Sequence, residues 1–223
     1  MTTYSFLPLV ACGGSLVMQA VAARTQFVSP SRISVRSKII GLAFAVFGFS
    51  NLYGLSLASA GYAPVAVGLL LYGLANWVFW AACRANRERR LSIAFTPDEP
   101  MHLMVSRVYR FIRHPFYTSY CLTWLAGAVA ARSFLLLGEF AAMAAIYYCA
   151  ARFEERKFAQ STFAEAYRTY RKGTGMFGPR IKLSLPGNCM SRKNPGLERS
   201  GSIRLSTRQK TIMSSRSSKD PLA

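Results

Sequence analysis

The chain has 223 residues, of which 52% are hydrophobic and only 17% charged, with a mean hydropathy of +0.20. A charged share of about a quarter is usual, so a wholly disordered chain and an ordinary soluble surface are both excluded. The 28 Lys and Arg against 9 Asp and Glu leave a net charge of +19, which points to nucleic acid or to an anionic membrane surface. Charge and hydrophobicity occupy different stretches, and that separation decides for the membrane. The five cysteines (Cys12, Cys83, Cys121, Cys149 and Cys189) form no CxxC and have no close His partner. Neither a zinc site nor a disulfide framework is expected from them.

Five apolar stretches read as membrane helices: Tyr4 to Ala23, Ile39 to Ser59, Pro64 to Cys83, Phe116 to Ala131 and Phe134 to Ala151. A span needs about 17 to 25 mainly apolar residues. The first three meet this with no charge inside. The last two are shorter and form a hairpin turned at Arg132-Ser133. The first stretch could be a cleaved leader, since Ala20-Val21-Ala22-Ala23 offers small residues, but no Lys or Arg precedes it and a retained helix is favoured. The connections after the first and third helices are rich in arginine, whereas Ala60 to Ala63 has no charge and the turn after the fourth helix has only Arg132. Under the positive-inside rule the N-terminus lies outside, and both long connections and the C-terminus are cytoplasmic. Gly41, Gly48, Gly54, Gly68 and Gly73 in the second and third helices read as small faces for close helix packing.

Between the third and fourth helices, Thr96-Pro97-Asp98-Glu99-Pro100 predicts a turn or extended segment. Residues 152–172 predict one amphipathic helix leaving the membrane, with Ala159, Phe163, Tyr167 and Tyr170 on one face, stopped by Gly173, Gly175 and Gly178-Pro179. Residues 181–223 are Ser-rich and basic, with nine Lys and Arg against Glu198 and Asp220. They are expected to be disordered and attracted to an anionic leaflet. No folded nucleic-acid reader appears there, so nucleic acid is not expected as a partner. The expectation is an all-α integral membrane protein of about five transmembrane helices, with a cytoplasmic C-terminal amphipathic helix and a disordered basic tail. It divides into N-terminal helices (1–59), a core (60–180) and the tail (181–223).

Two polar groups near the membrane are not explained by hydrophobicity. Arg113-His114-Pro115 with Tyr117 stands at the mouth of the fourth helix, and Glu154-Glu155 stands at the end of the fifth. A helical hairpin brings them to one membrane face. A basic and aromatic cluster opposite paired carboxylates suits a zwitterionic or cationic ligand: carboxylates pair with a cation or accept from a ribose, and Tyr109, Phe111, Phe116 and Tyr117 offer ring faces to adenine or a sulfonium. An Arg fork can hold a carboxylate. The plain alternative is that these residues anchor the interface and the carboxylates are solvated or paired with Arg113 or Arg152.

The segment Tyr109-Arg-Phe-Ile-Arg-His-Pro-Phe-Tyr117 resembles the Y-R-x-x-R-H-P-x-Y block of the isoprenylcysteine carboxyl methyltransferase family, to which phospholipid methyltransferases carry a related block. Glu154-Glu155, Tyr167-Arg-Thr-Tyr170 and Gly178-Pro179 resemble that family's downstream pattern in order and spacing. The resemblance covers about residues 60–180. It implies S-adenosyl-L-methionine as methyl donor at the cytoplasmic membrane face and a lipophilic or prenylated acceptor entering sideways among membrane lipids. By it, Arg113 and His114 would contact the donor's amino-acid or adenosine part, Pro115 and Tyr117 would shape the pocket, and Glu154 and Glu155 would hold the ribose or amino group or orient the acceptor. Arg113 and Glu155 are thus the candidate catalytic residues. Tyr109, Arg113, His114, Pro115, Tyr117, Glu154 and Glu155 are the candidate cofactor-binding residues, and no metal is expected. The chain departs from the family at Arg107-Val108, where Gly-Pro is usual, and at Ser119, where Gly is usual.

Carboxyl O-methylation of an isoprenylcysteine-like acid leads the functional readings, and phospholipid N-methylation follows. A carboxylate acceptor is already ionised near neutral pH and needs no general base. A membrane steroid or isoprenoid reductase is a further alternative, although no Gly-rich dinucleotide fingerprint is present. The other is a non-catalytic membrane-binding protein acting through its basic tail.

Overall fold

The computed structural model describes residues 3–28, 35–86, 91–92 and 103–180. The Thr96–Pro100 turn and the basic tail fall outside them. The described chain is helical: α1 (Thr3–Gln26), α2 (Val35–Leu57), α3 (Tyr62–Ala85), α4 (Pro115–Ala131), α5 (Phe134–Gln160) and α6 (Ala164–Gly173). A single 3-10 turn (Arg107–Arg110) precedes α4, and a two-residue parallel pairing joins β1 (Phe27–Val28) to β2 (Leu91–Ser92).

The five expected apolar helices are all present. Ser37–Leu57, Tyr62–Ala85 and Phe134–Gln160 are long and apolar enough to cross a bilayer, and Phe6–Ala22 is a shorter apolar helix. Helix α4 has 17 residues, at the lower end of the spanning range of about 17–25. Leu42, Phe49, Leu70, Trp77 and Phe134 point outward with much of their surface exposed. A lipid solvent accepts these side chains, and water would not. The chain is a membrane protein.

The α4–α5 hairpin turns where the sequence places it. Arg132 closes α4 in the left-handed region (φ 52°), its N–H reaching Ala128 and Val129 carbonyls. Ser133 then caps α5, its hydroxyl oxygen accepting from the Leu136 N–H at 3.4 Å in place of a missing helical acceptor.

Small residues let the helices close up. A Cβ on Gly68 of α3 would lie 2.6 Å from the Ala130 Cβ of α4, and one on Gly127 would lie 2.0 Å from Asn51 Oδ1. Gly54 and Gly48 pack against Leu136 and Leu16, but Gly41 and Gly73 have nothing within 4 Å. The packing expected of those last two is therefore not found. The core beneath is built from Leu16, Leu55, Tyr72, Trp124, Met143 and Tyr147, with Cys12 as a small apolar filler. Helix α1 is tied to α4 by Gln19, whose Nε2 donates to Thr123 Oγ1 at 2.8 Å inside the bundle.

The single amphipathic helix expected over 152–172 is corrected. Helix α5 runs on without a break to Gln160, and the chain turns at Ser161 before α6. The Ser161 hydroxyl donates to the Phe158 carbonyl at 2.9 Å and accepts from the Phe163 N–H at 3.2 Å. These local bonds compete with the helical ladder. Phe158 and Tyr167 then stack at 5.1 Å and 15°, folding α6 back on α5.

Candidate functional site at the α4–α5 mouth

Proline is the natural first residue of a helix, because its missing N–H would find no acceptor there. Pro115 occupies that place in α4 and is buried. It sets Arg113 and His114 just outside the helix and Tyr117 and Thr118 in its first turn. At the same end of the bundle, two turns of α5 continue past the apolar stretch and carry Glu154 and Glu155.

The two groups meet. Arg113 Nε donates to Glu155 Oε1 at 2.9 Å, with both side chains almost fully buried. The Tyr117 hydroxyl donates to Glu154 Oε1 at 2.6 Å. The His114 imidazole sits between the carboxylates, Nδ1 3.5 Å from Glu154 and Nε2 3.6 Å from Glu155. The longer of these is past hydrogen-bond reach, and Nε2 is buried without a hydrogen-bond partner. Burial alone would lower the His114 pKa, but the two carboxylates more than offset it and raise it above the ordinary 6.5.

Below the charges lies an aromatic floor. His114 stacks on Tyr117 at 5.7 Å, and Tyr117 stacks on Tyr147 at 5.5 Å and 14°. Tyr120 leans on both tyrosines. The Trp124 indole N–H donates to the Tyr147 hydroxyl at 3.3 Å. Tyr120 and Tyr147 were missed in the sequence. The signal was there: Tyr147 lies seven residues before Glu154 and so on the same face of α5.

A strap closes the site from the C-terminal side. The backbone N–H of Arg113 donates to Gly175 O at 2.9 Å, that of His114 to Met176 O at 3.1 Å, and that of Gly175 to Phe111 O at 3.3 Å. Thr118 Oγ1 donates to Phe177 O at 2.9 Å. Arg113 Nη1 donates to the carbonyl of Thr174. Arg113 therefore holds both a carboxylate and the strap. Gly175 is required where it stands, since a Cβ would lie 1.8 Å from the Gly178 carbonyl oxygen.

The structure thus gathers Arg113, His114, Pro115, Tyr117, Glu154 and Glu155. Tyr109 occupies a different place. Its buried hydroxyl accepts from Asn86 Nδ2 at 2.7 Å, and its carbonyl accepts from the Tyr170 hydroxyl at 2.6 Å, so it struts α3 against α6. Of the two departures, Arg107 adopts a left-handed backbone (φ 56°), a conformation glycine takes freely and other residues take at a cost. Ser119 is fully buried in α4, its hydroxyl without a partner.

The donor set suits a zwitterionic ligand with a cationic centre. Carboxylates and π-faces attract positive charge, the unpartnered His114 Nε2 offers one more polar contact, and no group of metal-ligating residues occurs among the described residues. Residues 63–166 match the family model of phospholipid methyltransferases, and this segment belongs to the membrane superfamily that the family shares with the isoprenylcysteine methyltransferases. No curated protein matches the chain. The matched segment runs from the start of α3 into α6 and contains the whole charged mouth except the strap.

Proposed function

We propose that the chain transfers a methyl group from S-adenosyl-L-methionine to a lipid-like acceptor at the cytoplasmic membrane face. The observation that carries this reading is the meeting of Arg113, His114, Glu154 and Glu155 over the Tyr117–Tyr147 stack, inside the segment that matches a methyltransferase family. S-adenosyl-L-methionine, when bound, supplies an electrophilic methyl on a sulfonium. The tyrosine faces would receive that positive charge, worth roughly 0.5 to 2 kcal/mol, and Glu154 would pair with an amino group or ribose hydroxyl. Arg113 would position Glu155 and the strap. The dry, aromatic surroundings would exclude water.

For the acceptor, the observations favour a phospholipid amine over the carboxylic acid that leads in the sequence. Glu154 donates no hydrogen bond and accepts from the Tyr117 hydroxyl at the edge of the aromatic floor. Among the described residues it has only His114, which it shares with Glu155, as a basic neighbour, so an incoming carboxylate would meet like charge, whereas an amine would meet a partner and a proton acceptor. The carboxylate reading keeps one support, the raised pKa of His114, since an imidazolium would pair with an acid. The orientation expected from the basic connections, N-terminus outside and mouth inside, completes the proposal.

Incubation of the reconstituted protein with methyl-labelled donor and either phosphatidylethanolamine or a farnesylcysteine acid separates the acceptors. Label in the amine lipid, lost with Glu154→Gln, is the expected result. Label in the acid alone would reverse the choice of acceptor. No saturable donor binding by folded protein would remove the methyltransferase reading.

A further inference from the structure

Beside the mouth, and joined to it through Arg171, lies a surface with a different chemistry. The Tyr170 hydroxyl bonded to the Tyr109 carbonyl at 2.6 Å brings the 3-10 turn against the C-terminal end of α6. The neighbours in sequence are basic on both sides: Arg107 and Arg110 flank Tyr109, and Arg171 and Lys172 follow Tyr170. Arg180 returns to the same place, its Nη1 donating to the Lys172 carbonyl. All five are exposed. Among the described residues Arg107, Arg110, Lys172 and Arg180 have no acidic partner, and Arg171 has only Glu155 at 3.9 Å, a carboxylate already held by Arg113. Large apolar side chains are exposed among these charges: Phe111 at 59% and Val105 at 47%. Phe111 is four residues ahead of the start of α4, so the surface stands at the depth where a bilayer gives way to its headgroups.

Arg107 holds an unusual backbone for a residue with a side chain. A residue other than glycine at φ 56° carries a backbone cost that only surrounding structure or function sustains. Its side chain is exposed and bonded to nothing among the described residues, so no packing gain is visible there that a glycine would forfeit.

We infer that Arg107, Arg110, Arg171, Lys172 and Arg180 form a docking site for the headgroup phosphate of an anionic membrane lipid, with Phe111 and Val105 set into the acyl boundary beside it. Exposed apolar side chains interleaved with cations favour a lipid surface over a soluble polyanion, which has no use for Phe111. The site rests on the membrane location of the bundle and not on methyl transfer. It places an anionic lipid next to the strap formed by residues 174–178, on the outer side of the mouth.

The test is binding of dioctanoyl phosphatidylglycerol to the full chain in non-ionic detergent, with dioctanoyl phosphatidylcholine as the neutral probe. Each basic residue near an anionic lipid surface is worth about five-fold in affinity. The double variant Arg107→Gly, Arg110→Gln should therefore bind the anionic lipid at least about ten-fold more weakly. Its thermal midpoint should not fall, because glycine relaxes the left-handed backbone. Because both proteins keep residues 181–223, the difference between them reports this surface alone. Lys172→Gln, which leaves the backbone of the 3-10 turn untouched, should weaken the same lipid by a few-fold. Equal affinity in wild type and both variants would overturn the proposal. So would displacement of the lipid by equimolar inorganic phosphate, which would reduce the surface to a simple anion site, or equally tight binding of polyglutamate, which would make it a protein-docking surface.

Discussion

Helix α5 carries two buried carboxylates in opposite circumstances. Glu155, at the mouth, meets Arg113 at 2.9 Å, His114 at 3.6 Å and Arg171 at 3.9 Å. Glu139 lies four turns earlier within the apolar stretch, receives the Ser50 hydroxyl on one oxygen, and has no partner for the other among the described residues. The mouth surrounds its acid with cations and ties those cations to the strap. The interior gives its acid a single neutral donor. Charge is concentrated where a polar ligand can arrive, and the interior keeps to the small polar contacts that hold helices together.

The sharpest way to break this comparison is Arg113→Ala. It removes the nearest cation of Glu155 and the donor to the Thr174 carbonyl together, leaving His114 and Arg171 at 3.6 and 3.9 Å. Stranding one member of a buried ion pair typically costs about 3–5 kcal/mol. Thermal unfolding in detergent should show the largest drop in midpoint of any single change at the mouth, and donor binding should be lost. Arg113→Lys keeps the charge without the fork and should fall between. A midpoint unchanged by Arg113→Ala would mean that the strap does not depend on the mouth.

A smaller effect follows from His114. Its folded-state pKa is raised, so its contribution to stability is complete below about 6.5 and is lost as pH rises through the folded value. Wild-type stability should decline as pH rises above about 6.5, and His114→Gln should flatten that decline. The groups that face the imidazole are Glu154, Glu155 and the Tyr117 and Phe177 rings, and a slope that survives the substitution would have to come from groups other than His114.

Much of this arrangement could be read from residues alone, because it rests on local signals. The Arg132-Ser133 turn was legible from two polar residues between apolar runs. The meeting of Arg113, His114 and Tyr117 with Glu154 and Glu155 followed from a hairpin of two short helices. What escaped is what depends on contacts far apart in sequence. The strap pairs Ile112 with Gly175 through backbone groups, which carry no residue signature. The break at Ser161 was hidden because serine is tolerated in helices, and only its two local hydrogen bonds decide against one there. The bond between the Tyr109 hydroxyl and Asn86 joins residues 23 apart in sequence. Gly41 and Gly73 looked like packing glycines but have open space beside them; composition cannot say which side of a helix meets a neighbour.

The smallest expected effect sharpens the comparison most. In Glu139→Gln the amide oxygen can still accept the Ser50 hydroxyl, and an amide NH2 takes the place of a carboxylate oxygen that has no partner among the described residues. If the interior acid serves packing alone, the change should cost under about 1 kcal/mol and leave donor binding untouched. Glu139→Leu should also be tolerated, because Ser50 can turn its hydroxyl to a carbonyl one turn back in α2. A loss comparable to that of Arg113→Ala, measured in the same detergent, would show that the lone carboxylate does more than join α2 to α5. The contrast between a charged mouth and a quiet interior would then fail. A neutral result would confine the electrostatics of the bundle to one end, where the strap, the aromatic floor and the basic surface already meet.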